Sequence, residues 1–125
     1  MRKLISSGAP WEATVGYSRA VRVGQVVEVA GTTAQDGDTI IGSDEYTQTK
    51  RILEKISAAL HEAGATLEQV VRTRIFVTNI ANWEAVGRAH GEVFSQIRPA
   101  STMVQVAALI DPRLLVEIEA TAIIE

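Results

Sequence analysis

Leu114-Leu115-Val116-Glu117-Ile118-Glu119-Ala120-Thr121-Ala122-Ile123-Ile124 alternates with a period of two. Leu114, Val116, Ile118 and Ala120 fall on one side of an extended chain, and Leu115, Glu117, Glu119 and Thr121 on the other. A strand with one apolar side and one mixed side belongs to a sheet that carries its core on a single face. Residues 70–78 repeat the pattern. Val71, Thr73, Ile75 and Val77 share one side, and Val70, Arg72, Arg74, Phe76 and Thr78 share the other.

Further strands flank these two. Ala20, Val21 and Val23 precede a turn at Gly24-Gln25, and Val26, Val27 and Val29 then lead to Ala30-Gly31. Valine-rich runs bounded by glycine predict a hairpin. Asp36-Gly37-Asp38 predicts another turn. Thr102–Ala108 reads as a strand ahead of the last one.

Two helices lie between the strands. Ile52, Leu53, Ile56, Leu60 and Ala63 recur at spacings of three and four and predict one apolar face over residues 44–63. Ser43 or Asp44 is placed to cap its start and Gly64 to end it. Asn82 opens a second helix over 83–97 with Trp83, Val86, His90, Val93, Phe94 and Ile97 on its apolar face. Arg98-Pro99 closes it, because the residue before proline is pushed out of helical angles.

The order is strands, helix, strand, helix, strands. One mixed sheet with both helices on one face is the α+β arrangement that buries both helical stripes. The opposite face holds Arg72, Arg74, Glu117 and Glu119 beside Val70, Phe76 and Leu115. That mixture suits a subunit interface better than a monomer core or a wetted surface.

The whole chain, 1–125, fits one domain. Its net charge of −3 argues against a nucleic-acid partner, which selects a basic face. With no cysteine, thiolate chemistry and cysteine-held metals are excluded. The two histidines, His61 and His90, are not at ligand spacing, and Gly24, Gly31 and Gly37 read as turn glycines rather than a phosphate-cradling loop, so neither a metal nor another cofactor is expected. No apolar run reaches the ~18 residues of a membrane span. Met1–Ser6 lacks the apolar stretch of a signal peptide, and a cytoplasmic location is the expectation.

From end to end the chain resembles the Rid (reactive intermediate deaminase) family. The resemblance rests on Pro10 through Gly16-Tyr17-Ser18-Arg19-Ala20-Val21, on Gln48-Thr49, and on Glu62-Ala63-Gly64. It continues through Val70–Val77, Pro99-Ala100, Val104-Gln105-Val106-Ala107 and Val116-Glu117-Ile118-Glu119-Ala120. It implies a chorismate-mutase-like fold, a homotrimer, and small-molecule sites in the clefts between subunits.

Deaminase members carry an arginine directly after the Pro-Ala pair, suited to gripping the carboxylate of an imino or enamine acid. Here that position is Ser101. The chain also departs from the family at Ala30-Gly31-Thr32 and Val86-Gly87, and it is about one residue longer near Ile110-Asp111-Pro112. By resemblance, Tyr17 lines the cleft and Glu117 positions or activates a water. Such a carboxylate suits imine hydrolysis, in which water attacks an electrophilic carbon and nitrogen leaves as ammonia. Thr32, Arg98, Ser101 and Thr102 complete the candidate ligand contacts.

Alternatives stand beside these roles. Glu117 can instead form a structural ion pair with Arg72 or Arg74. Tyr17 can be an interface packing residue. His90 reads as a buried, hydrogen-bonded histidine, and His61 as a surface residue near a helix end. Arg98 is either a substitute anion anchor, its backbone ~10 Å from Ser101, or a cap on the second helix. Three functions remain: an imine or enamine deaminase-type hydrolase of altered specificity, a metabolite-binding trimer without turnover, and an endoribonuclease. Few aromatics and acidic charge disfavour the last.

Overall fold

The computed structural model describes residues 1–125. Strands β1 (Arg2–Ile5), β2 (Ala20–Val23) and β3 (Val26–Thr32) come first, then a small hairpin of β4 (Gln35–Asp36) and β5 (Thr39–Ile40). Helix α1 (Glu45–Glu62), strand β6 (Val70–Val77), helix α2 (Trp83–Phe94), β7 (Ala100–Gln105) and β8 (Val116–Ile123) follow. Six strands form one sheet in the order β1-β2-β3-β8-β6-β7. Only β6 and β7, joined through α2, run parallel. β1 was not foreseen: its sequence, Arg2-Lys3-Leu4-Ile5, has no strand signature of its own, and pairing with β2 makes it a strand.

Both helices cover one face of the sheet. Ile52, Leu53, Ile56 and Leu60 of α1 pack on Val27, Val29, Ile75, Val77, Val116, Ile118 and Ala120, and α2 adds Val86 and Phe94. The Asp44 carboxylate accepts from the Thr47 backbone N–H and caps α1. Gly64, at φ +88°, ends it. The free carbonyls there are held from the sheet: Lys3 Nζ donates to Glu62 O at 2.8 Å and Arg22 Nη1 to Ala63 O at 2.9 Å.

Gln48 accounts for the Gln-Thr pair. Fully buried, it donates to Gly42 O (3.1 Å) and Arg113 O (2.9 Å) and accepts from the Leu115 N–H (2.9 Å). It thereby ties α1 to the entry of β8.

Two bulges alter the expected parity. Val70 pairs with Ala122 and Arg72 with Thr121, so Val71 is the extra residue. Val70 therefore faces the core and Val71 is exposed, the reverse of strict alternation. On β3, Val29 pairs with Ala120 and Thr32 with Ile118, so Ala30 and Gly31 together oppose Glu119.

Helix α2 stops at Phe94, short of the expected 97. The turn that follows is closed by the Arg98 backbone N–H on Phe94 O at 2.7 Å. Arg98 sits at φ +57° and is the one non-glycine residue in the left-handed region. Asn82 makes no side-chain cap; Asn79 caps the short turn Ile80–Asn82 instead. No helix is long and apolar enough to cross a membrane.

Candidate functional site

The sheet face away from the helices carries the candidate residues of β8. Glu117 lies opposite Phe76 of β6, and Glu119 lies opposite Arg74. Arg74 approaches Glu119 at 3.9 Å, and Arg72 Nη2 donates to Thr102 Oγ1 at 2.7 Å. The arginines expected to compete for Glu117 are thus engaged elsewhere, and Glu117 forms no ion pair. Burial pushes its carboxyl above the usual glutamate range; the nearby Arg19 charge opposes this and Glu119 reinforces it. The carboxylate is thus half-buried, on the strand position opposite Phe76 and close against the Gly31 backbone.

Gly31 makes room for it. A Cβ at Gly31 would collide with Glu117 Oε2. Arg19 Nη2 donates to Gly31 O at 2.5 Å from the other side, and its Nε is buried without a hydrogen-bond partner. Arg19 adjoins Gly31 and Glu117, a placement that sequence reasoning passed over. Its place one residue after Tyr17-Ser18 was the available signal, but its reach to Gly31 depends on the β3 bulge.

Tyr17 is positioned by the π-type turn Glu12–Gly16. Gly16 adopts φ +88°, and the Tyr17 N–H donates to Glu12 O at 3.0 Å. The Glu12 carboxylate is buried and accepts from the Ser7 hydroxyl and backbone N–H, which hold its pKa low. Tyr17 and Glu12 line an open cavity of about 640 Å³ with Arg74, Glu119, Glu28 and Leu4 among its walls.

The remaining candidates separate. Thr32 is not on this face. The β3 bulge returns it to the core side, where it is buried and its hydroxyl donates to Ala30 O at 2.8 Å. The Arg98 guanidinium caps nothing; the residue closes the α2 turn with its backbone, and its side chain is exposed. Thr102 shares the face of Arg72. Ser101 faces the helix side at the sheet edge, where its hydroxyl and that of Thr73 are hydrogen-bonded at 2.7 Å. His90 Nε2 lies 3.0 Å from the same Thr73 hydroxyl, so the hydrogen-bonded histidine expected on α2 has its partner there. No group of three or more His, Asp or Glu side chains is arranged to hold a metal ion.

A sequence model of the family described as endoribonuclease L-PSP matches residues 7–124. An uncharacterized Streptomyces coelicolor protein is 44% identical over 119 residues, spanning 94% of this chain and 89% of its own. The 3-aminoacrylate deaminase RutC of Acinetobacter baylyi is 33% identical over 108 residues, 85% of each chain. The crystal structure of a Mycobacterium tuberculosis member of the YjgF/YER057c/UK114 family is similar at 52% identity. It covers 99% of this chain and 100% of its own, with a TM-score of 0.92.

Proposed function

The chain belongs to the Rid family, the YjgF/YER057c/UK114 proteins, and on that footing we propose that it works as a single-domain homotrimer hydrolysing a small imine or enamine in its inter-subunit clefts. The observation that carries this reading is Glu117: a half-buried carboxylate, shifted toward neutral pH, with no cation paired to it. Glu117 takes a proton from water as water adds to the imine carbon and returns it to the nitrogen of the resulting carbinolamine, whose C–N bond then breaks to give the carbonyl product and ammonia. Tyr17 lines the ligand's other side.

Sheet topology supports a shared site. Tyr17 precedes β2, and Ser101 lies on β7, four strand positions away and roughly 19 Å across the sheet. Ser101 and Glu117 also point to opposite faces. One ligand meets Tyr17, Glu117 and Ser101 together only where the β7 edge of one subunit abuts the mixed face of another.

Specificity follows from Ser101. The 3-aminoacrylate deaminase relative acts, by its name, on an acid, and without an arginine at position 101 this chain holds a carboxylate poorly. The expected outcome is slow ammonia release from 2-aminoacrylate and faster release from imines of uncharged carbonyl compounds. Both are measured with the imine generated in situ by an amine- or amino-acid-oxidising enzyme. Fast 2-aminoacrylate turnover, or Glu117→Gln at full wild-type rate, overturns the reading. A binding trimer without turnover is the second reading, favoured by the absence of the arginine; it predicts saturable ligand binding with no ammonia from any imine. The net charge of −3 leaves the endoribonuclease reading without an electrostatic footprint.

A further inference from the structure

Ser101 stands at the outer end of a three-residue chain drawn from three elements. His90 on α2 lies 3.0 Å from the Thr73 hydroxyl on β6, and Thr73 lies 2.7 Å from the Ser101 hydroxyl on β7. Thr73 is fully buried, and Ser101 is exposed. The chain therefore runs from the helix–sheet layer to the surface.

Helix α2 leaves space beside His90. A Cβ at Gly91, beside His90, would meet nothing within 4 Å, and one at Gly87 would meet only the edge of the Trp83 ring at 3.9 Å. Trp83, Gly87, His90 and Gly91 share a face of α2. Neither glycine projects a side chain there, and the indole of Trp83 on the same face is half-exposed.

We propose that Ser101, Thr73 and His90 form a hydroxyl relay that binds an uncharged carbonyl or carboxamide group of the ligand. The inference rests on the cleft reading above and names the ligand class that the position of Ser101 selects.

The relay has two polarities. With Nε2–H on His90, His90 donates to Thr73, Thr73 to Ser101, and the Ser101 O–H is left to donate to a ligand carbonyl. With Nε2 bare, Ser101 donates to Thr73, Thr73 to His90, and a Ser101 lone pair is left for an amide N–H. A carboxamide offers both groups. A carboxylate offers only acceptors and needs a compensating charge, which the relay lacks. Burial favours the uncharged ring of His90, with no charged neighbour acting on it. The arginines of β6, Arg72 and Arg74, lie on the other face of the sheet, and Lys50 of α1 pairs with Glu92.

The test titrates pyruvamide and pyruvate separately into the full-length protein labelled with nitrogen-15. It follows the His90 ring nitrogens and the backbone signals of Ser101, Tyr17 and Glu117. Pyruvamide is expected to bind at least about tenfold more tightly than pyruvate and to move the His90 ring signals. Ser101→Ala should weaken pyruvamide by about tenfold and silence His90. Thr73→Val should silence His90, and Thr73→Ser should restore its response. Ser101→Arg should reverse the preference toward pyruvate.

Equal or tighter pyruvate binding by the wild type overturns the proposal, as does a His90 response that survives Thr73→Val. Signals that move at Tyr17 and Glu117 but not at Ser101 and His90 refute the relay alone. If no cleft residue responds to either compound, the relay and the cleft reading fall together.

Discussion

Burial of Glu117 costs stability when its carboxyl is ionised. Its folded-state pKa lies above the ordinary glutamate value, so burial carries no penalty at low pH, and stability falls as pH rises through the raised value. Glu117→Gln should raise the melting temperature at pH 7 by about 2 °C and leave it unchanged at pH 4, while removing turnover. Thermal unfolding at both pH values checks this. Gln48 is the opposite case, a buried polar side chain with every group satisfied. Gln48→Leu strands two carbonyls and an N–H and should cost about 3 kcal/mol in denaturant unfolding. The resemblance marked both residues, Glu117 within Val116–Ala120 and Gln48 within Gln48-Thr49. Their opposite roles were not legible, because only the fold shows which polar atoms find partners.

At the scale of elements, two irregularities govern the site. The β3 bulge turns Thr32 inward and brings Gly31 against Glu117. Gly31→Ala should preserve the circular dichroism spectrum yet reduce imine hydrolysis at least tenfold, as the new methyl displaces the carboxylate. The second irregularity is the left-handed Arg98 between α2 and β7. A non-glycine residue there carries strain of about 1–2 kcal/mol. Arg98→Gly should therefore stabilise the chain by roughly 0.5–1 kcal/mol, after the greater unfolded-state freedom of glycine is deducted. If Arg98 anchored an anion, the same change would abolish ligand binding; binding is expected to persist. The span of α1 followed from periodicity and the Asp44 cap and the start of α2 from periodicity alone, but the end of α2 did not, since a backbone N–H on Phe94 O closes the turn there.

At the scale of the molecule, the sheet face without helices exposes Leu4, Val23, Val26, Val104 and Ile123 around its charged residues. Large apolar side chains left exposed on one sheet face suit an interface. Light scattering should give three times the mass of one chain, and Val104→Lys should shift the population toward smaller species. The sequence by itself determined the α+β class, the two helical stripes and the mixed face, because periodicity records which side of each element meets water. It also carried the family, through motifs spread along the whole chain. Tertiary structure alone decided which candidates meet. A single extra residue in β3 reverses the side on which Thr32 lies, and strand order places Tyr17 and Ser101 far apart in one chain. Hydrogen bonding then joins Ser101 to His90 through Thr73, although His90 and Ser101 lie on separate elements. Such pairings depend on register and on long-range contact, which local residue patterns do not encode.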